Sequence, residues 1–225
     1  MKRMSQYWLV VVFALLVGVV AVTGGPFVPT ASAAVSPVAI QSFGATYGEW
    51  SARWWQWMLS IPTATNPTLG GDCAQGQDDD VWFLPGTFGG SATRTCTIPA
   101  GKPIFLPLIN AVAFKPTGGE TLLDLRRLAA AFVDTVNVLD CTIDGTALDA
   151  EVLFAFRVHS PSFSVVAPPG ALLHASATDP MVSDGYWLLL EPFPPGTTHE
   201  IVVSTGTSGG FSADVTYTLT ILTIQ

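Results

Sequence analysis

The side chains with the most chemical reach in this chain are carboxylates. Three of them, Glu49, Asp184 and Glu191, are candidates for the paired acids of glycoside hydrolysis, in which one carboxyl protonates the leaving oxygen and the other attacks or activates water. Local context already accounts for two. Thr46-Tyr47-Gly48-Glu49 has capping-box spacing, with Arg53 four residues after Glu49, and Asp184 precedes Gly185 as a turn residue does. Glu191 has no local duty beyond closing a strand beside Pro192. Gly206-Thr207-Ser208-Gly209-Gly210 formally matches a nucleophile elbow. An elbow needs a helix after the serine and a histidine later in the chain, whereas His159, His174 and His199 all precede Ser208 and a β-rich run follows, so a hairpin loop is expected. Ala100-Gly101-Lys102-Pro103 lacks the upstream glycine and the hydroxyl of a phosphate loop.

Metal chemistry has little to stand on. His199 follows Pro194-Pro195-Gly196-Thr197-Thr198 without a His-x-His before it, and no two histidines have paired spacing. Asp72, Asp78, Asp79 and Asp80 offer oxygens to a calcium ion but lack EF-hand spacing, so a solvated acidic loop is the reading. No metal site and no cofactor is expected. Asn66-Pro67-Thr68 carries proline in the forbidden position of a glycosylation sequon.

The remaining resource is aromatic. Six tryptophans follow residue 33, at positions 50, 54, 55, 57, 82 and 187, and flat indole faces stack on sugars. Trp50, Trp54 and Trp57 recur at helical spacing and so belong to a core. Trp82 directly follows the acidic loop, which makes Trp82 with Asp78, Asp79 and Asp80 the candidate site for a polar ligand.

These residues must be positioned by elements, and two helices stand out among many strands. The first spans about 46–60, with Tyr47, Trp50, Trp54, Trp57 and Met58 on one face, Glu49, Arg53, Gln56 and Ser60 opposite, and Pro62 closing it. The second spans about 120–136, opened by a capping box at Thr117-Gly118-Gly119-Glu120 before Leu122, Leu125, Leu128, Ala129, Phe132 and Val133. Elsewhere turn residues at 99–101, 144–145, 168–170 and 194–196 separate β-rich runs, and hairpins are the economical reading. Asp144-Gly145 has type I′ chemistry. Runs at 186–191, 199–204 and 215–221 read as an antiparallel meander. The expected fold is therefore mainly β, an antiparallel β-sandwich or jelly roll decorated by two helices.

Composition sets the class. The 225 residues are 49% hydrophobic, with 17 acidic against nine basic side chains, a balance that argues against disorder and against nucleic acid as a partner. Lys2 and Arg3 precede an apolar run over residues 8–22 and then Ala31-Ser32-Ala33, the plan of a signal peptide over 1–33. Its removal leaves seven basic residues and a net charge near −10. Residues 34–225 are then one secreted domain without a membrane span. Three cysteines agree with an oxidising compartment. Alternation in Leu139-Asp140-Cys141-Thr142-Ile143 puts Cys141 on an apolar face, so Cys73 and Cys96 are the expected disulfide, with pairings through Cys141 still open.

Tyr47-Gly48-Glu49-Trp50-Ser51, Arg53-Trp54-Trp55-Gln56-Trp57, Val81-Trp82-Phe83-Leu84, Ile98-Pro99-Ala100-Gly101-Lys102 and Asp184-Gly185-Tyr186-Trp187 together resemble a family of secreted bacterial proteins. The closing strands are similar to those of immunoglobulin-like sandwiches. The resemblance implies export and brings no activity, and fold analogy does not reach chemistry. The expectation is a secreted, non-catalytic binding or surface-interaction module for a polar ligand, of carbohydrate type, or a cell-surface component. The alternative is a glycan-active hydrolase.

Overall fold

A computed structural model of the chain describes residues 34–35, 41–114, 119–173 and 180–223. The leader at 1–33 and His174 lie outside these residues, as do Thr117 and Gly118.

The first helix, α1 (Tyr47–Ser60), begins where its cap requires. Thr46 Oγ1 accepts from the Glu49 amide at 3.2 Å, and the Glu49 carboxylate accepts from the Thr46 amide at 2.7 Å. Its apolar stripe is buried as the periodicity demands, and Trp55 and Leu59 are buried as well. Three indoles donate to backbone carbonyls: Trp50 to Ser42, Trp54 to Leu84 and Trp57 to Gln75. Asn66 is buried because it terminates the helix, its amide donating to the Met58 and Ile61 carbonyls at 2.8 and 3.2 Å.

The described residues form nine strands in two sheets, the mainly β sandwich expected. Numbered in chain order, the strands are β1 (Trp82–Phe83), β2 (Gly90–Ile98), β3 (Ile104–Phe114), β4 (Val136–Ile143), β5 (Thr146–Ala147), β6 (Arg157–His159), β7 (Met181–Leu190), β8 (Thr198–Thr207) and β9 (Ser212–Ile221). One sheet runs β1-β3-β7-β6 and the other β2-β9-β8-β4-β5. Both are mixed rather than purely antiparallel, because β1 pairs parallel with β3 and β2 parallel with β9. Such pairs join strands distant in sequence, which no local turn signal reveals.

The turns carry a related correction. Asp144-Gly145 does join hydrogen-bonded neighbours, with φ of 51° and 75°, as does the glycine-rich turn after Thr207. The turns at 99–101 and 194–196 instead carry the chain from one sheet to the other. The expected closing meander is thus only the β8-β9 hairpin, with β7 in the opposite sheet.

β7 is buried along its whole length. Ser183 and Trp187 meet α1, through a 3.2 Å hydroxyl contact with Ser51 and an indole contact with Trp54. Val182, on the alternate face, packs with Leu125 and Ala129 of the second helix, α2 (Leu122–Val133). That helix is shorter than expected and is capped by Thr121 with Asp124, while Leu122 and Leu128 are exposed. A third, short helix is α3 (Ala150–Phe154), capped by Asp149. Asp184-Gly185 is not a turn but the middle of β7. A Cβ on Gly185 would stand 2.7 Å from Asn110 Cα, so glycine is required by the close approach of β3.

Cys73 and Cys96 are bonded, tying the acidic loop to β2, and Cys141 is a buried free thiol. Burial pushes the Cys141 thiol up to about 12. Alkylation at mildly alkaline pH should therefore spare Cys141 in the folded protein and label it once denaturant restores an ordinary thiol, as peptide mass spectrometry will show. Labelling of native protein at the denatured rate would contradict this burial.

Candidate functional site

The acidic loop divides between two surfaces. Asp78 and Asp79 line an open groove of about 390 Å³ against the polar side of α1, shared with Arg53, Gln56, Ser60 and Ser164. Asp80 lines a separate open depression with Phe43 and Lys102. The loop is held by Gln77, whose amide donates to the Cys73 and Phe83 carbonyls while its oxygen accepts from the Phe83 amide. The Lys102 ammonium donates to the Asp79 carbonyl at 2.7 Å.

Within the groove, Arg53 Nη1 stands 3.6 Å from Asp79 Oδ1, and the Arg53 guanidinium lies over the Trp50 ring at 4.5 Å. Partial burial raises the Asp79 carboxyl above its ordinary range, against the lowering pull of Arg53, and neighbouring Asp80 raises it further. Gln56 donates its amide to the Ser164 carbonyl at 2.9 Å, which positions the far wall. Arg53 and Gln56 were legible as the polar face of the helix, but nothing in their spacing tied them to the loop. Arg53 still acts electrostatically on Glu49, as the i,i+4 spacing implies, while its ion-pair contact is with Asp79, the Glu49 carboxylate being committed to its cap.

Trp82 requires a correction. It lies in β1 at 6% exposure, with its amide donating to the Pro103 carbonyl, so its ring is part of the core and offers no face to a ligand. A short parallel strand beside β3 buries what sequence context left undetermined.

Of the carboxylates of the hydrolytic reading, Asp184 and Glu191 are not brought together. Asp184 and Glu191 stand seven residues apart on and just beyond one extended strand, roughly 23 Å at about 3.3 Å per residue. Paired glycosidase acids lie within about 5 to 9.5 Å. Asp184 is fully buried and clamped by Arg157, whose Nε and Nη2 donate to it at 3.0 and 2.7 Å. The Glu191 amide donates to the Ala34 carbonyl. Hydrogen bonds from the Thr46 amide and hydroxyl hold the exposed Glu49 carboxyl below its ordinary range, the opposite of what a general acid needs.

His199 is buried in β8 with both ring nitrogens engaged, Nδ1 with Asp144 Oδ2 and Nε2 with Thr197 Oγ1, each at 2.7 Å, and its ring stacks on Phe193. It pins two turns. Among the described residues no group of three His, Cys, Asp or Glu converges as a metal site would require. Ser208 is exposed on the β8-β9 turn, its amide donating to the Thr135 carbonyl.

Fold and site together define a two-sheet sandwich carrying a charged groove beside a tryptophan-rich helix. Comparison with known protein families and with curated proteins finds no match for the chain.

Proposed function

We propose that this chain is an exported, non-catalytic binding module that takes a polar ligand, of carbohydrate type, in the groove between α1 and the acidic loop. The observation that carries this reading is the convergence of Arg53, Gln56, Asp78 and Asp79 on one open concave surface, where donors and acceptors of both charge signs are within reach of a hydroxyl-rich molecule. Export is supported by the Cys73 to Cys96 disulfide, by the plan of residues 1–33 and by the resemblance of the motifs to secreted bacterial proteins. Among the described residues no helix is long and apolar enough to cross a membrane. The acidic balance directs the site away from nucleic acid.

A glycan array followed by calorimetric titration is the test. Asp79→Asn should weaken the best ligand about three- to tenfold, the loss of one hydrogen bond to a charged group, while the melting temperature stays within error because its partner Arg53 is exposed. Unchanged affinity in Asp79→Asn would remove the groove from the reading. Release of new reducing ends from the bound glycan would replace the non-catalytic module by a hydrolase.

A further inference from the structure

The depression beside Asp80 holds an aromatic ring that the core does not claim. Phe43, Asp80, Gly101, Lys102 and Pro103 line it around an open volume of about 550 Å³, and it shares no residue with the groove. Phe43 is 37% exposed and belongs to neither core cluster. Its turn is held in place. Ser42 and Ala45 pair across it, and the Trp50 indole donates to the Ser42 carbonyl at 2.9 Å, which ties the turn to α1.

The backbone of that turn does not favour phenylalanine. Phe43 and Gly44 have φ of 56° and 90°, the two positive values of a tight hairpin turn, which asparagine or aspartate before glycine adopts most readily. Asp144-Gly145 obeys that rule in the same chain, at 51° and 75°. Among the described residues Phe43 and Asp144 are the only residues other than glycine with positive φ, and a bulky side chain in this region is strained. Burial in the core does not offset the strain. The turn instead presents the ring at the depression, where two opposite charges also stand. Lys102 donates one of its three ammonium hydrogens to the Asp79 carbonyl, which fixes it and leaves two free, and the Asp80 carboxylate has no ion-pair partner among the described residues.

We propose that this depression binds a neutral hexopyranose, which lies flat on Phe43 and hydrogen-bonds Asp80 and Lys102 through its ring hydroxyls. Carbohydrate is also the class proposed for the groove, but this site uses none of the groove's residues and stands independently of it. Charge selects a neutral ligand, because Asp80 repels anions and Lys102 repels cations. Hydroxyls then suit both partners, donating to the carboxylate and accepting from the ammonium, while axial C–H bonds give a sugar ring an apolar face for the aromatic. Space agrees. About 550 Å³ is more than three times the roughly 150 Å³ that accommodates a benzene ring, so one sugar ring fits. The β-gluco arrangement, with every ring substituent equatorial, leaves the flattest such face.

The test is a titration of the full-length protein, labelled with nitrogen-15, with methyl β-D-glucopyranoside, following the amide resonances of Gly44, Asp80 and Gly101. A saturable shift with a Kd in the millimolar range is expected, since affinity is bounded by the few atoms of the ligand. Sorbitol, which offers hydroxyls without a ring face, should bind at least about fivefold more weakly. Phe43→Asn suits the turn and removes the ring, so it should weaken glucoside binding at least about fivefold while Tm stays the same or rises. Phe43→Trp keeps a stacking face and should retain affinity. Asp80→Asn should weaken binding about two- to tenfold, and it carries the test if the Phe43 variants do not fold. Unshifted amides at about 100 mM glucoside, equal binding of sorbitol, or full affinity in Phe43→Asn would each overturn the proposal, as would a fall in the Tm of that variant, which would make the ring a structural one. Asp79→Asn should leave glucoside binding at these amides unchanged, and a loss equal to that of Asp80→Asn would place the sugar in the groove instead.

Discussion

Trp82→Ala should destabilise the fold by about 3 to 5 kcal/mol and leave ligand affinity in the groove unchanged, provided affinity is measured where the variant is still folded. The indole is 6% exposed and contributes to the main core cluster with Phe83, Ile104 and Phe105, so its truncation leaves a cavity under a strand only two residues long. For a domain of this size the loss corresponds to a fall in Tm of roughly 10 °C. Trp82→Phe provides the control. Its smaller ring loses some volume, but the indole Nε1 has no hydrogen-bond partner among the described residues, so replacing it removes a buried unsatisfied donor and offsets part of the cost. The Phe variant should therefore fall less than about 1.5 kcal/mol below wild type. Differential scanning calorimetry measures both variants. A Trp82→Ala protein with wild-type Tm and weakened glycan binding would restore Trp82 as a stacking residue.

Arg157→Met should cost about as much, roughly 3 to 5 kcal/mol, through an uncompensated charge rather than through volume. Arg157 crosses from β6 to the middle of β7, where its fork holds both oxygens of Asp184, a carboxylate at 1% exposure. The same Nη2 reaches Asp134 at the end of α2, so one guanidinium ties a short edge strand, the sheet and a helix end. Those hydrogen bonds and charges hold Arg157 protonated above its already high range. Removing it leaves Asp184, among the described residues, with only His159 as a charged partner, whose Nδ1 is 3.3 Å away on a largely exposed side chain. The double variant Arg157→Met with Asp184→Asn should recover a substantial part of the loss, because the buried charge goes with its partner. Equal stability of the single and double variants in urea unfolding would show that packing of the arginine stem, and not charge, accounts for the effect.

How much of this was legible beforehand follows from the range of each interaction. Local rules were sufficient for α1, because the Thr46-Glu49 cap and the tryptophan stripe involve neighbours three and four residues apart. They were sufficient again for the Asp144-Gly145 hairpin, where positive φ at two residues is a property of the dipeptide. Alternation correctly set Cys141 in the core and left Cys73 and Cys96 to each other. The second helix was found but drawn too long at both ends, since Thr121 with Asp124 caps its start and Val136 already belongs to β4.

Pairing across the sheets was beyond any local rule. The parallel contact of β2 with β9 joins residues more than 120 positions apart, and the turns at 99–101 and 194–196 have the same chemistry whether the chain folds back on its neighbour or crosses to the other sheet. The same limit hid what lies beside each candidate residue. Asp184 looked like a turn residue because Gly185 follows it, yet that glycine answers to Asn110 across the sheet. Composition and periodicity, which report on each segment alone, determined a mainly β chain with one tryptophan helix and a disulfide. Only the tertiary structure decided that Trp82 lies inside and that Arg53 meets Asp79, because each depends on which segments the core brings together.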